Sequence, residues 1–371
     1  MKNQFDNYDN LLDIAKIIDV FHTIRLNTKH KDKIFVFELF FSCNIFSIYQ
    51  ILKEKNYLHR KYNIFLLKEP KYRIIMSESM TDKIINHMVS KYVLFPILES
   101  RLIPMNIATR PGMGTEKGIY YIKKYIHHLK RKHDKFYVLK CDISKYFYSI
   151  NHDILMDKIK KVIHDPDIIR LIHEIISSTD RPYVNLEIDR LVQREIERLK
   201  GKNLSLWSRI KELEQIHYYD KGCGLPIGNM TSQILAIYYL NDIDHFIKEK
   251  LHIKYYVRYM DDFVLMHEDK EYLKYCYREI QKKVEDLKLS FNNKTQIVEI
   301  HHGFTFLGYK FLLKDKKLII LLHGKTKKKI KNKLKYLRKH HPDNEASVLA
   351  SYKGYLSRAC SGSFCYRNRL K

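Results

Sequence analysis

Two adjacent carboxylates, Asp261 and Asp262, lie in the middle of an apolar segment that spans residues 255–266. β-branched and aromatic residues alternate on both sides of the pair, which predicts two short strands that meet at a tight turn. Adjacent carboxylates at such a turn repel each other and lose hydration, and a divalent cation removes both penalties. Asp oxygens suit Mg²⁺ best, so the pair is a candidate magnesium site. An ordinary Asp-rich hairpin turn is the alternative for the pair taken alone.

A third carboxylate, Asp142, is expected at the end of another apolar strand, within residues 138–150. If two strands present Asp142 beside Asp261 and Asp262, the three side chains can hold two divalent ions about 3.5–4 Å apart. This arrangement catalyses phosphoryl transfer. One ion activates an attacking 3′ hydroxyl, and the other neutralises a triphosphate and the leaving pyrophosphate.

The order and spacing of five segments resemble those of the prokaryotic reverse transcriptases, and the resemblance extends from about residue 35 to residue 354. The Asp142 segment is similar to the first palm motif of that family, and Tyr-Met-Asp-Asp at 259–262 is similar to the third. Between them, residues 224–233 resemble the second palm motif, a glycine loop that opens a helix. Residues 289–295 and 306–309 resemble the lysine-bearing loop and the primer-grip hairpin.

The resemblance implies RNA-templated DNA synthesis with two Mg²⁺ ions as cofactors. The expected partners are a template RNA, a DNA or RNA primer and deoxynucleoside triphosphates. Lys294 matches the family's lysine that protonates the leaving pyrophosphate, a role that suits a buried or phosphate-adjacent lysine. The expected metal ligands are Asp142, Ile143, Asp261 and Asp262. The expected nucleotide-binding residues are Arg73, Arg110, Phe147, Ile227, Gly228 and Gln233.

By the same resemblance, Arg73 and Arg110 belong to two fingers motifs and grip the incoming triphosphate, since guanidinium groups pair bidentately with phosphate oxygens. Ordinary surface arginines are the alternative. Phe147 matches the position under the ribose, where a bulky ring excludes a 2′-hydroxyl and selects deoxynucleotides. Core packing is the competing interpretation of Phe147. Alternation along an expected strand places Tyr146 and Tyr148 on one face and Phe147 on the other.

The net charge is +26, which favours a polyanionic partner. No apolar run reaches the ~18–20 residues that a spanning helix needs, so no membrane partner is expected. The N-terminal residues lack the basic and then apolar pattern of a signal peptide. The six cysteines are scattered and form no CxxC pair. This argues against a zinc site and favours a reducing, cytoplasmic location.

The expected fold is an α+β right-hand polymerase fold with fingers, an antiparallel palm sheet and a helical thumb. N-terminal helices and fingers are assigned to residues 1–135, the palm to residues 136–310 and the basic thumb to residues 311–371. Residues 325–371 carry a net charge of +12. Apolar residues at helical spacing predict one basic helix there and a second helix for it to pack on. The expected nucleic-acid contacts are Lys327, Lys328, Lys331 and Lys335.

A helical hairpin at residues 186–216, with a loop at 201–203, looks like an insertion between the first two palm motifs. Two interpretations stay open: a solvated addition to the fold, or a docking surface for an accessory protein, a noncoding RNA or a second copy of the chain. Apolar periodicity elsewhere predicts helices over residues 1–60, 80–105, 115–132, 154–178 and 270–287, another after Ser232, and strands over residues 61–75.

The biological class is suggested by the loop from Ile227 to Gln233, which reads Ile-Gly-x-x-x-Ser-Gln. Mobile intron enzymes usually carry Gln-Gly-x-x-x-Ser-Pro there. The departure resembles the reverse transcriptases of diversity-generating retroelements, which we rank first. Antiviral, abortive-infection reverse transcriptases that act with a dedicated noncoding RNA rank closely behind. A catalytically idle RNA-binding scaffold stays open, although three retained carboxylates argue against it. An RNA-templated RNA polymerase is a further alternative, and Phe147 argues against that one.

Overall fold

The chain folds into two compact units, each built from separate stretches of sequence. The structure, a computed structural model, describes residues 4–28, 31–68, 71–200, 206–360, 362 and 365. The first unit comprises Met1–Ile103, Ser144–Asp242 and Val284–Ser290, and the second comprises Pro104–Ile143, Ile243–Lys283 and Phe291–Lys371.

Helices make up most of the secondary structure. Within the described residues they are α1 (Ile14–Asn27), α2 (Lys31–Leu39), α3 (Phe41–Lys53), α4 (Met80–Val89), α5 (Phe95–Leu98), α6 (Thr115–Lys132), α7 (Tyr146–Ser149), α8 (His152–Lys160), α9 (Pro166–Ser177), α10 (Pro182–Lys200), α11 (Trp207–Glu214), α12 (Met230–Tyr239), α13 (Asn241–His245), α14 (Lys270–Asp286), α15 (Gly324–His340) and α16 (Glu345–Leu356).

The strands form three antiparallel sheets. They are β1 (Asn63–Leu67), β2 (Arg73–Ser77), β3 (Tyr137–Asp142), β4 (Tyr255–Tyr259), β5 (Asp262–His267), β6 (Gln296–Glu299), β7 (Phe304–Phe306), β8 (Tyr309–Lys314) and β9 (Lys317–Leu322). The sheet orders are β1-β2, β4-β5-β3-β6 and β7-β8-β9. The expected α+β class is confirmed.

The four-stranded sheet belongs to the second unit and carries the carboxylates. Apolar residues of β3, β4 and β5 share one core with α6, with the β7-β8-β9 sheet and with α15 and α16. The expected basic helix with a narrow apolar face is confirmed, because Ile330 and Leu334 of α15 enter this core. Arg367, Arg369 and Lys371, which contribute to the predicted basic charge, lie outside the described residues.

The first unit is helical apart from the β1-β2 hairpin. The strands predicted over residues 61–75 are confirmed, and the tip of their turn, residues 69–70, lies outside the described part of the chain. The N-terminal helices form as predicted, and Asp13 caps α1 by accepting from the backbone N–H groups of Ala15 and Lys16. Among the described residues no single helix is long and apolar enough to cross a bilayer, although α2 and α3, bent by 86°, reach that length and composition together.

Two helix predictions need correction. Residues 154–178 form two helices, α8 and α9, because Pro166 lacks the N–H that a continuous helix would need and instead occupies the first turn of α9, which Asp165 caps. The predicted hairpin at 186–216 begins earlier than expected, at Pro182. Its predicted loop at 201–203 lies outside the described residues, and its second helix is α11.

Candidate active site

The antiparallel pairing of β3 with β5 places Asp142 directly opposite Asp262. The pairing of β4 with β5 places Tyr259 opposite Asp262, so Met260 and Asp261 form the turn between these strands. The sequence prediction of two strands that meet at a tight turn is confirmed. Because the register is fixed by hydrogen bonds along both strand pairs, three carboxylates lie at one end of the sheet.

The charge of the Asp262 carboxylate is only partly compensated by its surroundings. Its Oδ1 atom is buried without a hydrogen-bond partner, and its Oδ2 atom lies 3.5 Å from the Nζ of Lys140. Burial raises the pKa of Asp262 to about 7; the positive charge of Lys140 opposes this rise, and the negative charges of Asp142 and Asp261 add to it. The site therefore holds negative charge that Lys140 neutralises only in part.

The predicted lysine-bearing loop, residues 289–295, forms hydrogen bonds with Asp142. The backbone N–H of Asn292 donates to the Asp142 carbonyl at 2.9 Å, and the Asn292 side-chain amide donates to the Asp142 carboxylate. Ile143, a predicted metal ligand, forms an isolated β-bridge with Phe291. Lys294 follows in the same loop with an exposed side chain. The loop thus fixes the Asp142 carboxylate, while the Lys294 ammonium lies in solvent.

The donor set fits a hard divalent cation. The candidate ligands are carboxylate oxygens, which Mg²⁺ prefers, and one of them is a buried oxygen that has no other partner. In the described part of the chain, however, no three His, Cys, Asp or Glu side chains are already grouped closely enough to hold a metal ion. The carboxylate of Asp142 accepts a hydrogen bond from Asn292, and the carboxylate of Asp262 forms an ion pair with Lys140. A cation at this site would compete with these contacts and would offset the negative charges of Asp142 and Asp261, which add to the effect of burial on the pKa of Asp262.

A buried ion pair supports the Asp261–Asp262 turn, and sequence reasoning missed it. Arg258 and Asp244 have fully buried side chains. The Arg258 guanidinium donates to Asp244 Oδ1 at 2.7 Å and to Oδ2 at 2.5 Å, and Tyr256 OH donates to the same carboxylate at 2.5 Å. Arg258 also donates to the carbonyl of Met260 at 2.9 Å. A charged residue inside an apolar strand was the available signal, but its partner could not be predicted from the sequence.

The carbonyl of Met260 belongs to the turn itself. Met260 has a φ of +56°, a left-handed conformation that non-glycine residues rarely adopt. The hydrogen bond from Arg258 therefore stabilises Met260, the turn residue whose backbone conformation is unfavourable. The backbone of Arg258 is fixed as well, since its N–H donates to the carbonyl of Met105 and its carbonyl accepts from Ile107, both at 3.0 Å.

The family described as reverse transcriptase (RNA-dependent DNA polymerase) matches residues 53–311, which is more than half of the chain. The chain belongs to the reverse transcriptase family. The match includes all five segments on which the sequence resemblance rested and both fingers motifs, whereas the basic C-terminal segment follows it. The expected right-hand polymerase fold class is therefore confirmed.

Solved telomerase structures are similar to the chain at low identity. One is telomerase from Candida albicans in complex with a TWJ fragment of telomeric RNA, with 12% identity, a TM-score of 0.46, and coverage of 82% of this chain and 55% of that one. Another is apo telomerase from Candida tropicalis truncated from its C-terminal domain, with 16% identity, a TM-score of 0.46, and coverage of 76% of this chain and 60% of that one. The chain thus spans little more than half the length of these two proteins. No curated protein matches it.

Several of the residues predicted to bind the nucleotide lie in the first unit. Arg73 is exposed at the start of β2, and Gln233 is half-buried in α12. The carbonyl of Ile227 accepts from the N–H of Met76 at 2.9 Å. Gly228 has a φ of +142°, and a Cβ there would lie 2.4 Å from the Met76 carbonyl oxygen. Only glycine therefore lets this loop lie against β2.

The local structure at Phe147 differs from the prediction. Residues 146–149 form the helical turn α7, preceded by Lys145 with a φ of +49°, so the alternation expected of a strand does not apply. Tyr146 is buried, whereas Phe147 and Tyr148 are half-buried. The strand β3 ends at Asp142, and Ile143 makes only an isolated β-bridge before the helical turn. The half-buried ring of Phe147 is consistent with either interpretation, since it is neither a core residue nor a fully exposed one.

The remaining predicted residues lie in the second unit. Arg110 is half-buried and donates to the carbonyl of Asn106 at 2.9 Å. In α15, Lys327 is half-buried, whereas Lys328, Lys331 and Lys335 are exposed. The segment predicted to be the primer grip forms a hairpin, in which Leu307 and Gly308 connect β7 to β8 with φ values of +52° and +82°.

Proposed function

We propose that this chain copies an RNA template into DNA and that Asp142, Asp261 and Asp262 form its catalytic centre with two Mg²⁺ ions. The observation that carries the proposal is the register of β3 and β5, which pairs Asp142 with Asp262 beside the turn that holds Asp261. The unpaired buried oxygen of Asp262 supports it. Magnesium bound there would supply charge neutralisation for the triphosphate and activation of the 3′ hydroxyl.

The proposal also assigns roles to other side chains. Asn292 orients the Asp142 carboxylate, and Lys140 limits the repulsion at Asp262. Arg258 holds the Met260 carbonyl and so fixes the direction in which the Asp261–Asp262 turn presents its oxygens. Arg73 and Arg110 bind phosphate oxygens of the incoming nucleotide. The exposed Lys294 reaches the leaving pyrophosphate and donates a proton to it. The lysines of α15 bind the backbone of the template–primer duplex.

Primer extension on an RNA template tests the proposal. Asp261→Asn should abolish Mg²⁺-dependent synthesis, because loss of one ligand removes charge stabilisation worth several kcal/mol. Nucleic-acid binding should remain, since it rests on other charges. The control is Asp134→Asn, which makes the same chemical change at a carboxylate whose side chain is 92% exposed and should leave synthesis intact. Near-normal synthesis by Asp261→Asn would remove the site assignment.

We further propose that the enzyme serves a diversity-generating retroelement and makes errors preferentially at one template base. Ile227 supports this proposal because an apolar side chain offers shape but no hydrogen bond where intron enzymes carry Gln. Loss of one such contact is worth about 0.5–1.5 kcal/mol, or up to roughly tenfold in discrimination. Since the loop is held through the Ile227 backbone, Ile227→Gln changes the side chain without removing that support.

Sequencing of the cDNA made by the parent and by Ile227→Gln tests this class. We expect errors concentrated at one template base in the parent and fewer in the variant. Uniformly low error in the parent would contradict the proposal and favour an antiviral role with a dedicated noncoding RNA.

A further inference from the structure

The two insertion helices, α10 and α11, turn their apolar faces toward the β1-β2 hairpin of the same unit. A single core joins residues of α10 and α11 to residues of both strands: Val184, Ile188, Val192, Ile196, Ile210 and Leu213 with Ile64, Ile74 and Met76. The apolar faces of the two insertion helices are therefore covered by the chain's own β1-β2 hairpin.

A buried carboxylate on α10 binds both sides of the hairpin turn. Glu195 has a side chain that is only 6% exposed, and its Oε2 lies 2.7 Å from the Nζ of Lys68, just after β1. Its Oε1 accepts from Tyr72 OH at 3.3 Å, just before β2. Arg198 donates to both oxygens at 2.8 and 2.6 Å. Hydrogen bonding from Arg198 lowers the pKa of Glu195 to about 2, against the effect of burial, and Lys68 adds to the lowering.

The second insertion helix binds the same two turn residues. Glu212 of α11 accepts from the backbone N–H of Tyr72 at 3.1 Å, and Arg209 donates to the carbonyl of Lys68 at 3.2 Å. The Arg209 guanidinium also lies 4.9 Å from the centre of the Tyr72 ring. Both insertion helices thus hold the hairpin at the residues that flank its turn, and they do so through charged groups as well as apolar packing.

The strand held in this way carries one nucleotide-site candidate, Arg73, and supports a loop that carries two others, Ile227 and Gly228. Arg73 directly follows Tyr72, and Met76 lies three residues further, about 10 Å along the strand. Met76 supports the Ile227–Gly228 loop through its N–H and its close backbone approach. A shift of β2 would therefore displace the Arg73 guanidinium and the support of this loop together.

We propose that the insertion helices are an internal brace for the nucleotide-binding fingers and that Glu195 is a positioning residue for the incoming triphosphate. Glu195 acts through Lys68 and Tyr72 on the placement of Arg73, without touching the nucleotide. The inference rests on the proposed function, because it requires that Arg73 binds the triphosphate.

Single-nucleotide incorporation by the full chain tests the inference. Glu195→Gln removes the charge that binds Lys68 and Arg198 while it keeps the side-chain shape. We expect KM for the deoxynucleoside triphosphate to rise about five- to tenfold, with kcat within about twofold of the parent, because binding geometry changes and the carboxylate centre does not. Glu197→Gln is the matched control, since Glu197 is an exposed residue of the same helix and should leave both constants unchanged.

A milder variant guards against loss of folding. Lys68→Gln removes one contact of Glu195 at an exposed lysine and leaves the bonds with Arg198 and Tyr72 in place. The Lys68→Gln variant should raise KM about two- to threefold with unchanged kcat. This is the effect expected from the loss of one charge-assisted hydrogen bond, between Lys68 and Glu195, that is partly exposed to solvent. An unchanged KM in both variants, or a fall in kcat without a rise in KM, would overturn the inference alone. Absence of synthesis by the parent chain would overturn the proposed function, and the inference with it.

Discussion

The buried pair of Arg258 and Asp244 predicts that one substitution remote from the expected chemistry should damage both stability and synthesis. Asp244→Asn keeps the shape of the side chain but leaves the Arg258 guanidinium buried beside a neutral amide. Both side chains have no exposure to solvent. Breaking a buried ion pair by removal of one partner costs about 3–5 kcal/mol. Since domain stabilities are typically about 5–15 kcal/mol, the variant should lose a large share of its free energy of unfolding.

Urea unfolding followed by circular dichroism measures this loss. Asp134→Asn is the control, because substitutions at exposed sites usually change stability by less than about 0.5 kcal/mol. Primer extension by Asp244→Asn, measured where the variant is still folded, should also fall, since Arg258 would hold the Met260 carbonyl less firmly. The double variant Asp244→Leu with Arg258→Met should lose less than the sum of its single changes, because no charge is left unpaired. A loss below about 1 kcal/mol in Asp244→Asn would contradict the reasoning.

Three further outcomes are expected. Phe147→Ala should admit ribonucleotides, measured as incorporation of ATP against dATP on one template; an unchanged ratio would mean that the ring only packs. Reversal of four lysines of α15 to Glu should weaken duplex binding and reduce the slope of log K against log salt by roughly 0.7–0.9 per lost phosphate contact; the residues are Lys327, Lys328, Lys329 and Lys331. An unchanged slope would place them away from the duplex. Burial, with a contribution from Lys83, lowers the pKa of His87 to about 4, so the unfolded chain binds that proton first as pH falls. Stability should therefore decrease by up to about 3 kcal/mol between pH 6.5 and pH 4, and His87→Gln should show a smaller decrease in urea unfolding; an equal decrease would refute this cause.

The sequence by itself determined the local features of the site. Alternating apolar residues on both sides of Asp261 and Asp262 predicted two strands and a turn, because strand periodicity and turn chemistry are properties of neighbouring residues. The positive charge of α15 and its narrow apolar face could also be predicted, because both depend only on residues that are close together in the sequence. The order of the motifs predicted a reverse transcriptase, which the match over residues 53–311 confirms, whereas the finer class stays a prediction. The alternation argument at Phe147 was wrong because the chain leaves the sheet at Asp142.

Only the tertiary structure decided which distant residues meet. The register of β3 with β5 places Asp142 opposite Asp262, and no local pattern specifies a pairing between residues so far apart in sequence. The buried ion pair of Arg258 with Asp244 and the hydrogen bond from Asn292 to Asp142 likewise depend on how the chain folds, and no local pattern specifies them. The insertion helices show the reason most clearly. Their apolar periodicity predicted a helical hairpin, but the sequence left open whether it is a solvated addition to the fold or a docking surface. In the structure the apolar faces of both helices pack against the β1-β2 hairpin, and burial of apolar surface within one chain requires no association with a second molecule.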